Sequence, residues 1–309
     1  MKLSVVATLY RSAPHIDEFY DRITHAAQSV TSDYEIVLVN DGSPDDSLDR
    51  AVRLSEIDEG VIVVDLSRNF GHHKAMMTGL AHARGDHVFL IDCDLEEEPE
   101  WLPGFAEQMQ RDRCDVVYGI QDRRKGSFFE RWSGLWFYRL FRLFAGLELP
   151  ENMVTARLMT RRYVDALLQF EEREVFLFGL LYITGFAQQP HVVHKHSSSK
   201  TTYTLRRKIS LAINSITSFS NAPLIAIFYI GALISFTACI CIAYLVLHRM
   251  LLSKTLLGWT SVMASIWLIG GMIISFIGIV GIYLSKVFSE IKRRPYTIVR
   301  QIYGKRRNG

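Results

Sequence analysis

The amino-acid sequence predicts an α/β domain on a mainly parallel sheet, followed by two membrane-spanning helices. Up to Asn221, short β-branched runs alternate with longer segments of helical periodicity, which is the pattern of a sheet covered by helices on both faces. After Asn221, two long stretches contain no Asp, Glu, Lys, Arg or His. The chain therefore divides into a water-exposed part and a membrane part.

Five runs in the first part have the composition of strands. They are Leu3–Leu9, Tyr34–Asn40, Val61–Asp65, His87–Ile91 and Asp115–Gly119. In sheets of this kind, ligands bind outside the carboxyl ends of the strands. The residues directly after each strand are therefore the first candidates for function.

The uncharged stretches Ala222–Leu247 and Thr255–Ser285 are each longer than the roughly 20 apolar residues that cross a bilayer. A helical hairpin buried in a soluble core is the alternative, but core helices rarely run so long without a charge. The segment Met1–Leu9 has only Lys2 as a basic residue and lacks the cleavage site of a signal peptide. We therefore expect the N-terminal part to stay in the cytosol.

Basic residues flank this pair of spans on the outside. Arg206–Lys208 precede the first span, and Lys286 and Lys292–Arg294 follow the second. Only Arg249 and Lys254 lie between the two spans. Because positively charged flanks resist translocation, we expect both termini and the N-terminal domain in the cytosol. The predicted location is the bacterial inner membrane, as a multi-pass protein.

These patterns divide the chain into four predicted regions. They are a cytosolic domain at 1–200, an interfacial amphipathic helix at 201–221, a transmembrane hairpin at 222–285 and a cytosolic basic tail at 286–309. Apolar residues at helical spacing in Leu205–Phe219 indicate the amphipathic helix. The aromatic-rich segment Phe128–Leu147 is a second candidate for the interface, and packing against the soluble domain is the alternative for both.

Composition argues against several classes of protein. A net charge of +3 is too small to indicate nucleic-acid binding, and the basic residues beside the spans favour anionic lipid headgroups. The four cysteines form neither a disulfide framework nor a metal-type spacing. His191, His194 and His196 leave zinc as an alternative, but no Cys or acid lies near them in sequence. The oligomeric state stays open, a homo-oligomer included.

Acidic residues follow two of the predicted strands. Asp92-Cys93-Asp94 ends the fourth strand, and two carboxylates at i and i+2 can converge there on one Mg²⁺ or Mn²⁺ that grips a diphosphate. Acids that decorate a helix N-terminus are the alternative, to which we assign Glu97, Glu98 and Glu100. Asp41 follows the second strand, where a turn with a helix cap is the simpler interpretation.

Seven short sequence blocks stand in a characteristic order. They are Val39–Ser43, Leu66–Gly71, Ala83–Gly85, Asp92–Leu95, Arg157–Met159, Gly278–Leu284 and Lys292–Pro295. Blocks in this order, together with the two predicted spans, resemble the family 2 glycosyltransferases with a Rossmann-like nucleotide-sugar domain of the GT-A type. The resemblance is to the branch of dolichol-phosphate mannose synthase and the bacterial polyprenyl-phosphate sugar transferases. It covers nearly the whole chain.

The resemblance implies a nucleotide-binding pocket at the carboxyl ends of the first strands. Asp41 would contact the nucleotide, with Thr8 and Tyr10 around the base and ribose, and Arg68 belongs to the same pocket. Asp92 would face the ribose and also serve the metal.

The resemblance also implies which charged groups handle the diphosphate. Asp94 would coordinate the Mg²⁺ or Mn²⁺ ion, with Glu96 as a further ligand where family members often carry Gln. Arg123 or Arg124, together with Arg131, would bridge donor diphosphate and acceptor phosphate, since arginine forks suit phosphate oxygens. A solvated basic loop is the alternative for these arginines.

Two positions depart from the family's pattern. Thr155 stands where members often carry an Asp, and Ala7–Ser12 replaces the usual start while keeping Tyr10. Without that Asp, a hydroxyl acceptor is harder to activate, whereas a phosphate acceptor arrives ionised and needs no strong base. His72 and His73 begin a predicted helix and are interpreted as surface or supporting residues.

The activity implied is that of an inverting, hexosyl-type glycosyltransferase. It would move a sugar from a nucleotide-sugar, UDP being the commoner carrier among bacterial relatives, to polyprenyl (undecaprenyl) phosphate. The product would serve surface polysaccharide synthesis or modification. Two alternatives remain: a transferase that extends a lipid-linked saccharide, and a catalytically silent membrane partner that has lost the acid at Thr155.

Overall fold

The computed structural model describes residues 2–121, 152–172, 177–194, 222–252 and 258–304. These residues form two compact units. One contains the described residues up to His194 together with those from Arg294 onward, and the other contains two long helices. The predicted arginines Arg123, Arg124 and Arg131 lie outside the described residues, as do the two candidate interfacial segments.

One mixed sheet runs through the first unit. Its strands in the described residues are β1 Leu3–Leu9, β2 Tyr34–Asn40, β3 Val61–Leu66, β4 His87–Asp92, β5 Val116–Gln121, β6 Met153–Thr160, β7 Gln188–Val193 and β8 Val299–Tyr303. They are ordered β7-β5-β6-β4-β1-β2-β3-β8. Strands β1 to β4 pair in parallel, as do β5 and β7, whereas β6 and β8 run antiparallel to their neighbours. The predicted mainly parallel α/β sheet is confirmed.

Helices cover both faces of this sheet. They are α1 Ile16–Val30, α2 Ser47–Ile57, α3 His72–His82, α4 Trp101–Asp112, α5 Arg161–Leu167 and α6 Leu177–Ile183. Alternate residues of the fully buried β1 face opposite sides. Val5 packs in one core cluster with Phe19 of α1 and Phe105 of α4. On the other face, Gly79 of α3 approaches Val6 so closely that an added Cβ would lie 2.4 Å from its Cγ1.

The second unit consists of α7 Ala222–Leu252 and α8 Trp259–Ile291, which are 31 and 33 residues long. Within α8, the 24 residues Leu268–Ile291 have a mean hydropathy of 2.2 and are long and apolar enough to cross a membrane. Among the residues of α7 whose side chains are described, the apolar segment is the shorter Pro223–Ile234. Two spans and their orientation therefore stay predictions. After α8, the chain adds the strand β8, Val299–Tyr303, to the sheet of the first unit, where it pairs with β3.

Candidate active site

The carboxyl ends of the central strands bring the predicted residues to one edge of the sheet. Thr8, near the end of β1, is the direct ladder partner of Asp92 at the end of β4. Asn40, the last residue of β2, is the partner of Asp65 in β3. The order β4-β1-β2-β3 therefore places the metal candidates and the nucleotide candidates side by side.

The Asp92 carboxylate is held by side chains from two other elements. The Thr155 hydroxyl of β6 donates a hydrogen bond of 2.8 Å to Asp92 Oδ2. On the other side, His72 Nε2 lies 3.1 Å from Asp92 Oδ1, within ion-pair distance. His72 Nδ1 is in turn 3.0 Å from Thr8 Oγ1. These four residues form a connected network, named here the Asp92 network.

His72 is charged more readily than an isolated histidine. Partial burial favours the neutral ring, but the Asp92 carboxylate, with Glu97 and Asp41 nearby, outweighs it and raises the pKa of His72. The site thus gains a titratable group beside Asp92, at a position that the sequence pattern assigns to a surface or supporting residue. A histidine that opens a helix directly after the Leu66–Gly71 block is the signal that could have identified it.

Two buried charges fix the start of β6, which presents Thr155. The Glu97 carboxylate is 1% exposed and accepts hydrogen bonds of 2.8 Å from the amides of Thr155 and Ala156. The Arg157 guanidinium donates to the carbonyls of Thr155 and Val154, both at 2.9 Å, and burial lowers its pKa. Glu97 therefore anchors β6 and does not merely decorate the N-terminus of α4.

Asp41 fixes the loop between β3 and α3. Its carboxylate accepts hydrogen bonds from the amides of Phe70 at 2.7 Å and Gly71 at 3.0 Å. Burial raises its pKa, and the two amides oppose that shift only in part. Beside it, Gly42 has a φ of +57°, and an added Cβ would lie 2.4 Å from the Asn69 nitrogen. A glycine is thus required for the loop to pass over this turn.

Two nucleotide candidates face solvent at this edge. The Tyr10 side chain is 47% exposed, and the Arg68 guanidinium lies 4.2 Å from the centre of the Phe70 ring. An exposed aromatic ring and an exposed guanidinium are suited to a base and to phosphate oxygens. Thr8 and Asp41, by contrast, are buried and engaged within the protein. The site thus has an exposed rim, formed by Tyr10 and Arg68, and a buried layer beneath it that contains Thr8 and Asp41.

Comparisons with known proteins identify the family of this chain. The sequence profile of glycosyl transferase family 2 matches residues 4–168. A chain named among the glycosyltransferases of Mycobacterium tuberculosis is 50% identical over 304 residues, which cover 98% of this chain and 89% of that one. This chain belongs to glycosyltransferase family 2.

Other relatives of this family 2 glycosyltransferase match it from end to end. The uncharacterized glycosyltransferase YkcC of Bacillus subtilis is 31% identical, covering 98% of this chain and 95% of that one. A prophage bactoprenol glucosyl transferase homolog of Escherichia coli is 30% identical, covering 98% of this chain and 99% of that one. The resemblance to the branch with the polyprenyl-phosphate sugar transferases is confirmed.

The carboxylates proposed for a metal differ in their exposure. Asp92 is 18% exposed, whereas Asp94 lies on the exposed turn after β4, where its Oδ1 accepts from the Glu96 amide at 3.0 Å. Across the described ranges, His, Cys, Asp and Glu do not gather in groups of three or more that could hold a metal ion. Mg²⁺ at a nucleotide site commonly uses one or two carboxylates plus substrate phosphates, and Asp92 with Asp94 fits that chemistry. Glu96 as a third ligand stays a prediction.

The histidines considered for zinc do not share one environment. His191 Nδ1 lies 2.7 Å from Gln108 Oε1 of α4, and its ring packs on Phe105 at 5.0 Å. His194 is exposed just beyond β7, and His196 lies outside the described residues. Packing against α4 therefore accounts for His191.

Proposed function

We propose that this family 2 glycosyltransferase moves a sugar from a UDP-linked nucleotide-sugar to polyprenyl phosphate. The observation that carries the proposal is the carboxyl edge of the sheet, which carries Asp92 and Asp94 together with the exposed Tyr10 and Arg68. The end-to-end match to a bactoprenol glucosyl transferase homolog supports the acceptor.

The donor is oriented by groups on both sides of this edge. Tyr10 stacks on the base, Arg68 meets donor phosphate oxygens, and Asp92 takes a ribose hydroxyl. Asp92 and Asp94 would also hold Mg²⁺ or Mn²⁺, which when bound neutralises charge on the nucleoside diphosphate as it leaves. Arg123 or Arg124 and Arg131 are proposed to align the acceptor phosphate.

In the proposed reaction, an oxygen of the lipid phosphate attacks the anomeric carbon of the sugar. The bond between that carbon and the diphosphate oxygen breaks, and the nucleoside diphosphate leaves with inversion. Positioning and electrostatic stabilisation supply most of the acceleration. The nucleophile arrives ionised, so a threonine at position 155 is compatible with transfer to phosphate, and its bond to Asp92 gives it a different task from a base.

The proposed location follows from the acceptor. Polyprenyl phosphate resides in the membrane, and α8 contains a segment able to cross it. We propose a bacterial inner-membrane protein with two spans, and with the sheet and both termini in the cytosol. Labelling of single cysteines from each side tests this topology, and labelling of a Ser43→Cys variant from the periplasmic side would overturn it.

The activity is tested by nucleotide release from a panel of UDP- and GDP-sugars, with and without a short-chain polyprenyl phosphate. We expect release from one donor to depend on that acceptor. Release that instead requires a saccharide hydroxyl on a lipid carrier would favour the extending transferase. Release from no donor with either acceptor would favour the catalytically silent partner.

A further inference from the structure

We propose that His72 is a positioning residue that couples the nucleotide side of the donor site to its metal side. The inference rests on the proposed donor site and adds a residue to which neither the family blocks nor the spacing of acids assigns a role. It requires no contact between His72 and the reacting atoms.

The first observation is that both ring nitrogens of His72 are engaged, each by a different strand. Nδ1 lies 3.0 Å from the Thr8 hydroxyl at the end of β1, and Nε2 lies 3.1 Å from the Asp92 carboxylate at the end of β4. Since Thr8 and Asp92 are ladder partners, the ring bridges neighbouring strands at the point where both leave the sheet. A ring held at both nitrogens has a fixed orientation.

The second observation is how the chain delivers His72 to this place. The residue begins α3 directly after Gly71, whose φ of +103° turns the chain into the helix. The amides of Phe70 and Gly71 are held by the Asp41 carboxylate. Asp41, at the end of β2, therefore fixes the loop, the loop fixes His72, and His72 contacts Asp92. A continuous set of contacts thus joins the predicted nucleotide residue Asp41 to the predicted metal residue.

The third observation is that Asp92 is held from the opposite side as well. The Thr155 hydroxyl donates to Oδ2 while His72 approaches Oδ1, so both carboxylate oxygens have a neighbour within the protein. The side chain of His72 is nevertheless 49% exposed, because it lies at the rim and not in the core. Its removal should therefore release Asp92 without opening a buried cavity.

Substitutions at His72 can separate its two contacts. In His72→Gln the amide nitrogen reaches about as far as Nε2 and can still meet Asp92, whereas His72→Ala removes both contacts. The matched control is His82→Ala, at the other end of the same helix, where the ring bonds the Thr78 carbonyl at 2.8 Å. Each full-length variant is compared in detergent by its circular dichroism, donor KM, kcat, and binding of UDP and GDP with and without Mn²⁺.

We expect His72→Ala to raise the donor KM roughly tenfold and to weaken binding of the preferred nucleoside diphosphate by a similar factor, as for the loss of one orienting contact. The weakening should be larger with Mn²⁺ than without it. His72→Gln should recover most of the loss, and His82→Ala should match the wild type.

If His72→Ala has the nucleotide binding and donor KM of the wild type, the inference is wrong. It is also wrong if only kcat falls, and falls in proportion to the fraction of folded protein that is lost. Failure of the proposed function gives a different result. If no polyprenyl phosphate is glycosylated, but nucleotide binding still depends on His72, the inference stands and the acceptor is wrong. Binding of neither nucleotide by the wild type would overturn both.

Discussion

The two edges of the central sheet both carry buried carboxylates, but the groups that bind these carboxylates differ between the edges. At the amino edge, Glu35 Oε1 accepts from the Ser4 hydroxyl at 2.5 Å and from the Arg84 amide at 2.6 Å. The Gly85 amide donates to the same Ser4 hydroxyl at 2.6 Å. Backbone amides of the fold thus complete the hydrogen bonds of this cluster. The backbone also packs tightly here, because an added Cβ on Gly85 would lie 2.5 Å from the Ser4 nitrogen.

At the carboxyl edge, the Asp92 network is built from side chains of separate elements, and Asp94 beside it is exposed. Hydrogen bonds from backbone amides form whenever the protein folds, so we expect the amino edge to contribute mainly to stability. Side-chain partners at a rim can give way to a ligand, so the carboxyl edge is suited to binding and chemistry. The contrast predicts that equivalent substitutions at the two edges have different consequences.

The largest effect is expected for Asp94→Asn, which should lower turnover on the order of 10³-fold or more. An amide is a poorer ligand than a carboxylate for a hard cation, whereas the exposed position leaves the thermal unfolding midpoint unchanged. Turnover across a Mn²⁺ titration, with thermal unfolding in parallel, measures both. Full turnover by this variant, or by the wild type in EDTA, would contradict the metal assignment.

At the amino edge, Glu35→Gln should show the reverse pattern. We expect it to reduce the free energy of unfolding by about 1–3 kcal/mol, because it weakens hydrogen bonds to a buried carboxylate. Activity per folded molecule should not change. Denaturant unfolding and a turnover assay normalised to folded protein test this, and a loss of donor binding in the folded fraction would break the distinction between the edges.

The smallest effect is expected for Thr155→Val, which keeps the shape of the side chain and removes its hydrogen bond to Asp92. Turnover should fall roughly three- to tenfold, as for one hydrogen bond. Thr160→Val is the matched control, because Thr160 lies at the other end of β6 and bonds Asp115 at 3.0 Å. A loss of 10³-fold at Thr155 would instead indicate an essential role in the chemistry.

The sequence predicted the part of the fold that depends on local pattern. Strands β1 to β5 agree with the predicted runs to within two residues at each end, because each alternates with a helix of clear periodicity. Strand β6 was not predicted, since it buries Arg157 and Thr155 in a segment without a simple apolar pattern. Strand β8 follows both long helices in the sequence and pairs with β3, which no local pattern can predict.

The candidate site was predictable where single motifs carry the chemistry. Asp92 and Asp94 stand out because two acids directly follow a buried strand. The contact of Thr155 with Asp92 joins residues 63 positions apart, and that of His72 with Thr8 joins residues 64 apart. Such contacts depend on strand order and register, which is why the sequence leaves His72 as either a surface or a supporting residue without naming its partners.

The most direct test of the account is to locate the bound nucleotide by photo-crosslinking. A photoreactive analogue of the nucleoside diphosphate that the wild type releases is bound to the full-length protein with Mn²⁺, and labelled peptides are mapped by mass spectrometry. We predict labelling near Tyr10 or Arg68 at the carboxyl edge, and we expect excess unmodified nucleotide to suppress it. Labelling at the amino edge around Glu35 and Arg84, or labelling that excess nucleotide does not suppress, would contradict it.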